Sequence, residues 1–348
     1  MNSISKIKSE KGDWLLVAPV SGLSLKKAIG EEISIHKVTF VSRKRLPFVR
    51  RRLGFPTTIK DLRRKEWTHN FFDTSSVYAV SRLGGTRHDK EKEFLEAARN
   101  ELSILSLSQL GFGQRRTNAC LSISNEVRPG KLEYFMMNTL NKTFTMQFKM
   151  SGRFQTLSLD ENWKRFQKFG FFYELIDIFK GNKNISSGWR NDITNAALLA
   201  GQSQSSSDLP HAFLWNMIAI ETLLTHQGDS YSDALPKRVE AFIGWTTDWS
   251  VENFENKIGE VYKKRSALVH AGKSHDLQIE DLLFTDIILV NIFYNILKHI
   301  KLFPNKNALI EFSKKVEAEN TLGMKPRIRP KTISYISLQY SGKDYESI

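Results

Sequence analysis

Cysteine is almost missing from this chain, since Cys120 is the only one among 348 residues. A single cysteine cannot form an intramolecular disulfide, which excludes the disulfide-rich class of small secreted domains and suits a reducing compartment. The first residues, Met-Asn-Ser-Ile-Ser-Lys, also lack the apolar core of a signal peptide. We therefore expect a cytoplasmic protein.

The signatures of metal and nucleotide chemistry are missing as well. The sequence has no His-Glu-x-x-His motif, no acidic cluster with metal-ligand spacing, and no glycine-rich phosphate loop that ends in Lys-Ser or Lys-Thr. No serine, lysine or cysteine lies in a recognisable nucleophile motif. The sequence therefore argues against a hydrolytic metal centre and an NTPase, and we expect neither a metal nor a cofactor.

No apolar run is long enough to cross a membrane. The most hydrophobic stretch, from Leu282 to Ile300, is interrupted by Asp286, Asn291 and Asn295, which is typical of a buried bundle helix. A hydrophobic content of 41% and a charged content of 25% are those of an ordinary globular protein, and the length predicts about two domains.

Positive charge is in excess, and it is unevenly distributed. The net charge is +14, and residues 1–150 hold 27 Lys and Arg against 14 Asp and Glu, whereas the remaining 198 residues hold 24 against 23. Within the first part the cations cluster with Phe48, Phe55 and Trp67. The candidate RNA-binding residues there are Arg43, Lys44, Arg45, Arg50, Arg51, Arg52, Arg63 and Arg64.

Such a basic segment attracts phosphates, and aromatic side chains between the cations can stack on unpaired bases. A solvated face with ordinary core aromatics explains the same pattern. An acidic protein partner, such as a neutralising antitoxin, would use it too.

The first half of the chain predicts an α+β domain over residues 1–155. A helix is expected from about Lys90 to Leu110, and the basic segment 42–66 is expected to be an arm or a long loop. The strand-like runs are Trp14 to Val20, Glu32 to Val41, Ser76 to Ser81, Ala119 to Ser124, Tyr134 to Met137 and Thr143 to Met150.

From Asp160 onward the apolar spacing predicts an all-helical bundle over 160–303, followed by a C-terminal helix and an extended tail over 304–348. The polar run 202–207 is expected to be a connector, and it leads to Asp208, the expected N-cap of the next helix. The last long bundle helix is expected from about Ile279 to Ile300.

The most informative helix ends near Gly272, where a left-handed cap is favoured, and Ser250 is its expected N-cap. Arg265 lies on the apolar line of this helix, and a guanidinium there needs a carboxylate, a partner subunit or a phosphate. His270 follows five residues later, about 140° round the helix axis. The two side chains converge only if the helix frays at its C-terminus or if a second copy completes the pocket.

Glu221 shares the apolar face of Phe213, Met217 and Leu224 on another predicted helix. A carboxylate among apolar residues needs a partner, so we expect an ion pair between Glu221 and Arg265. The ordinary alternatives are a structural ion pair for Arg265 and a helix-terminal, dipole-stabilising role for His270.

Two stretches, Ile-Ala-Ile-Glu-Thr-Leu-Leu over 218–224 and Val-Tyr-Lys-Lys-Arg-Ser-Ala-Leu-Val-His-Ala-Gly over 261–272, resemble the HEPN domain and, within it, the abortive-infection (ApeA-like) branch. The resemblance covers about residues 160–303. It implies a helical bundle that dimerises across the helices carrying the Arg and His, and a composite ribonuclease cleft at that interface. The biological setting that it implies is antiviral defence or a toxin of a toxin-antitoxin pair.

Under this resemblance Arg265 and His270 match the catalytic pair, and Glu221 matches an acidic position that faces the Arg. Ser266 departs from the Asn, Asp or His that many active members carry after the Arg, although Ser also occurs in the ApeA-like branch. Tyr262 flanks the motif. Lys263 and Lys264 are either a solvated helix face or guides for the RNA backbone.

Without a metal, phosphodiester cleavage uses the 2′-hydroxyl of the substrate, which restricts the substrate to RNA. We therefore expect a metal-independent endoribonuclease that acts as a homodimer and leaves 2′,3′-cyclic phosphate ends, with a possible inhibitory or activating protein partner. The alternative is a catalytically silent HEPN module for RNA binding or regulatory dimerisation.

Overall fold

The computed structural model describes residues 11–54, 75–123, 131–138, 143–150, 155–243, 254–323, 333–338 and 340. The chain divides into two compact units. The first comprises residues 1–106 and 115–165, and the second comprises 107–114 and 166–346. The sequence placed the boundary near 155–160, and the observed division falls at 165.

The first unit contains a five-stranded antiparallel sheet with the order β3-β4-β5-β1-β6. Strands β2 and β9 form a separate parallel pair, and β7 and β8 form an antiparallel hairpin. The strands are β1 (Lys11–Ser21), β2 (Leu23–Leu25), β3 (Glu32–Ser34), β4 (Thr39–Ser42), β5 (Val77–Thr86), β6 (Ser122–Ile123), β7 (Lys131–Asn138), β8 (Thr143–Met150) and β9 (Leu157–Leu159).

The single strand predicted from Glu32 to Val41 is wrong, because the chain turns back on itself and forms β3 and β4. The turn is held by Glu101, whose carboxylate accepts the backbone N–H groups of His36, Lys37 and Val38 at 2.7–3.2 Å. These N–H groups donate to a side chain that is distant in sequence and not to a neighbouring strand. Local periodicity contains no sign of such a contact.

The prediction of an arm or long loop over 42–66 is also wrong in its first part. Leu46–Arg52 forms a helix, α1, with Pro47 in its first turn, where proline is tolerated. Leu46 and Val49 are buried against Val41 and Tyr78 of the sheet. Residues 55–66 lie outside the described residues.

The second helix, α2 (Arg87–Leu107), confirms the helix predicted from about Lys90. The remaining helices follow in the order of the chain. They are α3 (Glu161–Phe169), α4 (Phe172–Phe179), α5 (Ser187–Ser205), α6 (Leu209–Leu224), α7 (Tyr231–Ile243), α8 (Phe254–Ala271), α9 (Ile279–Lys298) and α10 (Lys306–Thr321).

Two local predictions for the helices have different outcomes. Asp208 is the N-cap of α6, as predicted, and its carboxylate accepts the backbone N–H of His211 at 2.9 Å. The polar run 202–207 is not a connector throughout, because α5 continues to Ser205. Two side chains of the run bond to other helices: the Ser203 hydroxyl donates to the carbonyl of Ala212 at 2.8 Å, and Gln204 Nε2 donates to Asp286 Oδ1 at 3.0 Å.

Helix α9 is the most deeply buried element of the second unit and packs against α6 and α7. It begins at Ile279, as predicted, and ends two residues before the predicted Ile300. None of the described helices is both long and apolar enough to cross a membrane.

Candidate functional site

The candidate site lies on α6 and α8, which contact each other in the second unit. Helix α8 ends as the sequence predicts. Gly272 adopts a left-handed backbone conformation with φ 63°, and its N–H donates to the carbonyl of Leu268. This conformation is strained for residues with a Cβ, so glycine is required where the chain leaves the helix. The predicted N-cap, Ser250, lies outside the described residues.

Glu221 and Arg265 form the predicted ion pair, in which Arg265 Nη2 lies 2.8 Å from Glu221 Oε2. Only 8% of the Glu221 side chain and 17% of the Arg265 side chain are exposed. Both helices present apolar residues around the pair, including Met217, Ile258 and Val261. The carboxylate therefore fixes the position of a cation that the apolar face of α8 cannot itself hold.

The pair is not fully satisfied. Glu221 Oε1 and Arg265 Nε are buried, and neither atom has a hydrogen-bond partner among the described residues. Buried polar atoms in folded proteins are nearly always paired, with protein, water or a ligand. Arg265 Nε has almost no exposed surface, so an anionic group can reach only the exposed 17% of the Arg265 side chain.

Burial raises the pKa of Glu221 above its ordinary value, and the neighbouring Arg265 charge and hydrogen bond oppose that rise. The guanidinium stabilises the ionised carboxylate, whereas the apolar surroundings favour the protonated acid. Protonation of Glu221 in acid would remove the charge that holds Arg265.

His270 lies on the exposed end of α8, beside Val269, which is 46% exposed. Five residues of helix separate His270 from Arg265, about 7.5 Å along the axis and about 140° round it. No hydrogen bond or ion pair between described residues joins the two side chains. Because α8 stays helical to Ala271, fraying does not bring them together, and within one copy they point to different sides.

The other predicted residues on α8 have distinct surroundings. Tyr262 is half-buried, and the Arg265 guanidinium lies 6.0 Å from its ring centroid. Ser266 is also half-buried, and Lys263 is exposed. Lys264 Nζ donates to both carboxylate oxygens of Asp281 at 2.7 and 2.9 Å, which reduces its availability to an RNA phosphate.

The predicted RNA-binding cations of the first unit lie on α1 and the turn before it. Arg43, Lys44, Arg45, Arg51 and Arg52 are exposed, whereas Arg50 is buried. Arg63 and Arg64 lie outside the described residues.

Phe48 is 56% exposed on α1, and the guanidinium carbons of Arg45 and Arg51 lie 5.5 and 5.6 Å from its ring centroid. Arg52 pairs with Glu32 at 2.5 Å, and Arg45 lies 3.9 Å from the same carboxylate. Phe48 is therefore an exposed aromatic ring with two guanidinium groups close to it.

Among the described residues, no group of three or more His, Cys, Asp or Glu side chains could hold a metal ion.

Sequence reasoning missed several buried polar contacts. Asp286 is fully buried and accepts from Gln204 at 3.0 Å and from Asn216 at 2.8 Å. The polar interruptions of the apolar stretch in α9 were the available signal, and they indicate buried hydrogen-bond networks as much as they argue against a membrane span.

Comparison of the chain with protein-family models, with curated proteins and with solved structures gives no match.

Proposed function

We propose that this protein is a metal-independent endoribonuclease of the HEPN type that acts as a homodimer. The observation that supports this most is the ion pair of Glu221 and Arg265, which fixes a guanidinium on α8, the helix that also carries His270. The exposed 17% of the Arg265 side chain would bind a phosphoryl oxygen of the RNA.

In the proposed reaction the 2′-oxygen of the RNA attacks the adjacent phosphorus, and the bond from phosphorus to the 5′-oxygen breaks. In the dimer one His270 side chain accepts the proton of the 2′-hydroxyl, and the His270 side chain of the other copy donates a proton to the leaving 5′-oxygen. Arg265 stabilises the negative charge that develops on the phosphoryl oxygens, a role worth about 3 kcal/mol for one donor. The products end in a 2′,3′-cyclic phosphate and a 5′-hydroxyl.

A second copy is part of this proposal, because one copy holds Arg265 and His270 on different sides of α8. Val269 supports the proposal, since an exposed apolar side chain next to His270 suits a subunit contact. In the dimer the His270 side chains and the Arg265 side chains of two copies would surround one scissile phosphate.

The N-terminal basic residues would bind the RNA backbone, with Phe48 stacking on an unpaired base. An inhibitory or activating protein partner would use the same charged surface. The setting we propose is cytoplasmic, in antiviral defence by abortive infection or in a toxin-antitoxin pair. This setting follows only from the sequence resemblance.

The test compares RNA cleavage by the parent protein with cleavage by His270→Ala in the presence of EDTA. We expect the variant to retain its fold and its dimer and to lose cleavage at least a hundredfold. His275→Ala is the matched control, since His275 is an exposed histidine just beyond the same helix, and it should cleave within about threefold of the parent. Abolition of parent cleavage by EDTA, or equal cleavage by His270→Ala, contradicts the proposal.

A catalytically silent module for RNA binding or regulatory dimerisation is the second candidate. The observation that favours it is that Glu221 already neutralises Arg265 and that no contact joins Arg265 to His270 within one copy. On this view Arg265→Gln weakens the fold or the dimer, and the parent cuts no RNA under any activating condition. RNA binding would then persist unchanged in His270→Ala.

A further inference from the structure

The segment 333–338 binds to α9 through its backbone. Asn295 Nδ2 donates to the carbonyl of Ser334 at 2.8 Å, and Asn295 Oδ1 accepts the N–H of Ser334 at 3.0 Å. Asn291 holds Ile336 in the same way, with distances of 2.9 and 2.7 Å. Each carboxamide therefore pairs with one residue of the segment as a neighbouring strand would.

The spacing of the bonded residues in the segment matches the spacing of the two asparagines along α9. Residues 334 and 336 are two apart, about 6.6 Å in an extended chain, and Asn291 and Asn295 are four apart, about 6 Å along a helix. The segment runs antiparallel to α9. Each carboxamide also donates to a carbonyl of its own helix. Asn291 Nδ2 donates to the carbonyl of Ile287 at 2.8 Å, and Asn295 Nδ2 donates to that of Asn291 at 2.9 Å.

The hydrogen bonds of Asn291 and Asn295 to the segment all go to its main chain. Within 333–338, only Ile333 is buried, at 2% exposure, and Ser337 is exposed. Two further contacts involve side chains at the end of the segment. Tyr340 donates its hydroxyl to Asp286 Oδ2 at 3.2 Å, and a Cβ at Gly111 would lie 3.0 Å from Leu338, so the glycine leaves room for that leucine.

The two buried asparagines favour a state in which an extended segment lies along α9. Asn291 and Asn295 are fully buried, and departure of the segment would leave each carboxamide without the two hydrogen bonds that it makes to the segment. Water would have to replace these hydrogen bonds in an emptied groove, whereas another extended chain restores all four of them in the same geometry. Among residues 333–338 only Ile333 is buried, and a segment with so little buried surface is typical of the least stable parts of a protein. These two properties favour exchange of one extended peptide for another.

We propose that this groove along α9, lined by Asp286, Asn291 and Asn295, is a binding site for extended peptides. Residues 333–338 and 340 of the chain are its resident ligand, and an extended segment of a second polypeptide can replace them. The replacing segment offers an apolar residue at the position of Ile333 and a tyrosine at that of Tyr340. Its backbone groups two residues apart pair with the two asparagines. This site is independent of the proposed ribonuclease activity.

The test measures fluorescence anisotropy of a labelled peptide, Ile-Ser-Tyr-Ile-Ser-Leu-Gln-Tyr, with the full chain. The tethered segment competes at a high effective concentration, so the parent should bind the peptide weakly. The variant Ser334→Pro/Ile336→Pro removes both N–H donors of the tethered segment and should bind the peptide at least tenfold more tightly. Ser337→Pro is the matched control, since Ser337 is exposed, and it should bind like the parent.

A peptide with proline at the positions of Ser334 and Ile336 should not bind the double-proline variant. Equal affinity of the two peptides, or no gain of affinity over Ser337→Pro, overturns the proposal. If the double-proline chain does not fold, hydrogen exchange of the parent decides the question. Excess free peptide should then accelerate exchange of the amides of Ser334 and Ile336 and leave α6 unchanged, and an unaltered rate in the segment overturns the proposal.

Discussion

Arg265 is the residue on which the candidate site depends, and its position depends on Glu221. A largely buried guanidinium needs an anion beside it, and Glu221 on α6 supplies that anion at 2.8 Å. The sequence predicts this pair because both residues interrupt apolar faces. The unsatisfied Glu221 Oε1 and Arg265 Nε are visible only in the structure.

Replacing Glu221 by Gln should destabilise the fold by about 2 kcal/mol, because the largely buried cation loses its counter-charge while the side-chain volume is kept. Denaturant unfolding measures the change. Glu260→Gln, at an exposed position of α8, is the matched control and should lie within about 0.5 kcal/mol of the parent. Equal stability of the two variants would show that the pair contributes nothing to the fold.

We expect Glu101 to make the stability of the first unit depend on pH. Burial raises the pKa of Glu101 from 4.5 to about 7, although the backbone N–H groups of Lys37, His36 and Val38 oppose the rise. Because the folded pKa lies above the unfolded one, the stability that this linkage contributes is fully present below about pH 4.5. It is lost as the pH rises through about 7.

The parent should therefore lose about 3 kcal/mol of stability from this group between pH 4.5 and 8. Glu101→Gln removes the titration, so its free energy of unfolding should fall less with pH than that of the parent. Denaturant unfolding at several pH values measures the difference between the two curves. Glu96→Gln, exposed on the same helix, should follow the parent. Parallel curves for the parent and Glu101→Gln would refute the assignment.

At the scale of the element, the end of α8 decides where His270 lies. Gly272 terminates the helix with φ 63° and has open space around it, so a substitution there meets strain in the backbone alone. Ala at this position should cost about 1 kcal/mol.

Gly259→Ala in the same helix is the matched control, since Gly259 has ordinary helical geometry and open space. It should stabilise the protein by up to about 1 kcal/mol. Thermal unfolding of the two variants measures the contrast, and shifts of the same sign would contradict the account of the helix end.

Elements that depend on local pattern were predictable, and those that depend on distant contacts were not. The spacing of apolar residues predicted α8, α9 and most strands, and cap residues predicted Asp208 and Gly272. It did not predict the turn between β3 and β4, because that turn depends on Glu101. The spacing also did not predict α1, because the few apolar residues of this helix form a recognisable buried face only where they pack against Tyr78.

The candidate site was predictable in part for the same reason. The pairing of Glu221 with Arg265 follows from two charges on apolar faces that each need a partner. The separation of His270 from Arg265 follows from the helix period. The hydrogen bonds from Asn291 and Asn295 to the segment 333–338 join residues about 40 positions apart. No local pattern indicates such a contact.

At the scale of the whole molecule, the proposed activity requires two copies. Val269→Glu places a charge on the exposed apolar position next to His270 and should convert the dimer into a folded monomer. Cleavage of RNA should be lost with the dimer. Size-exclusion chromatography with light scattering measures the mass. Lys273→Glu, an exposed charge change just beyond α8, is the control and should remain dimeric. A monomeric parent that cuts RNA would refute the shared site.

The measurement that tests the central claim most directly is the chemistry of the RNA ends left by the parent protein in EDTA. Attack by the 2′-oxygen predicts 2′,3′-cyclic phosphate and 5′-hydroxyl ends, formed equally well with and without the chelator and missing with His270→Ala. Ends that carry a 5′-phosphate and a 3′-hydroxyl would mean that water is the nucleophile, and they would contradict the roles proposed for Arg265 and His270.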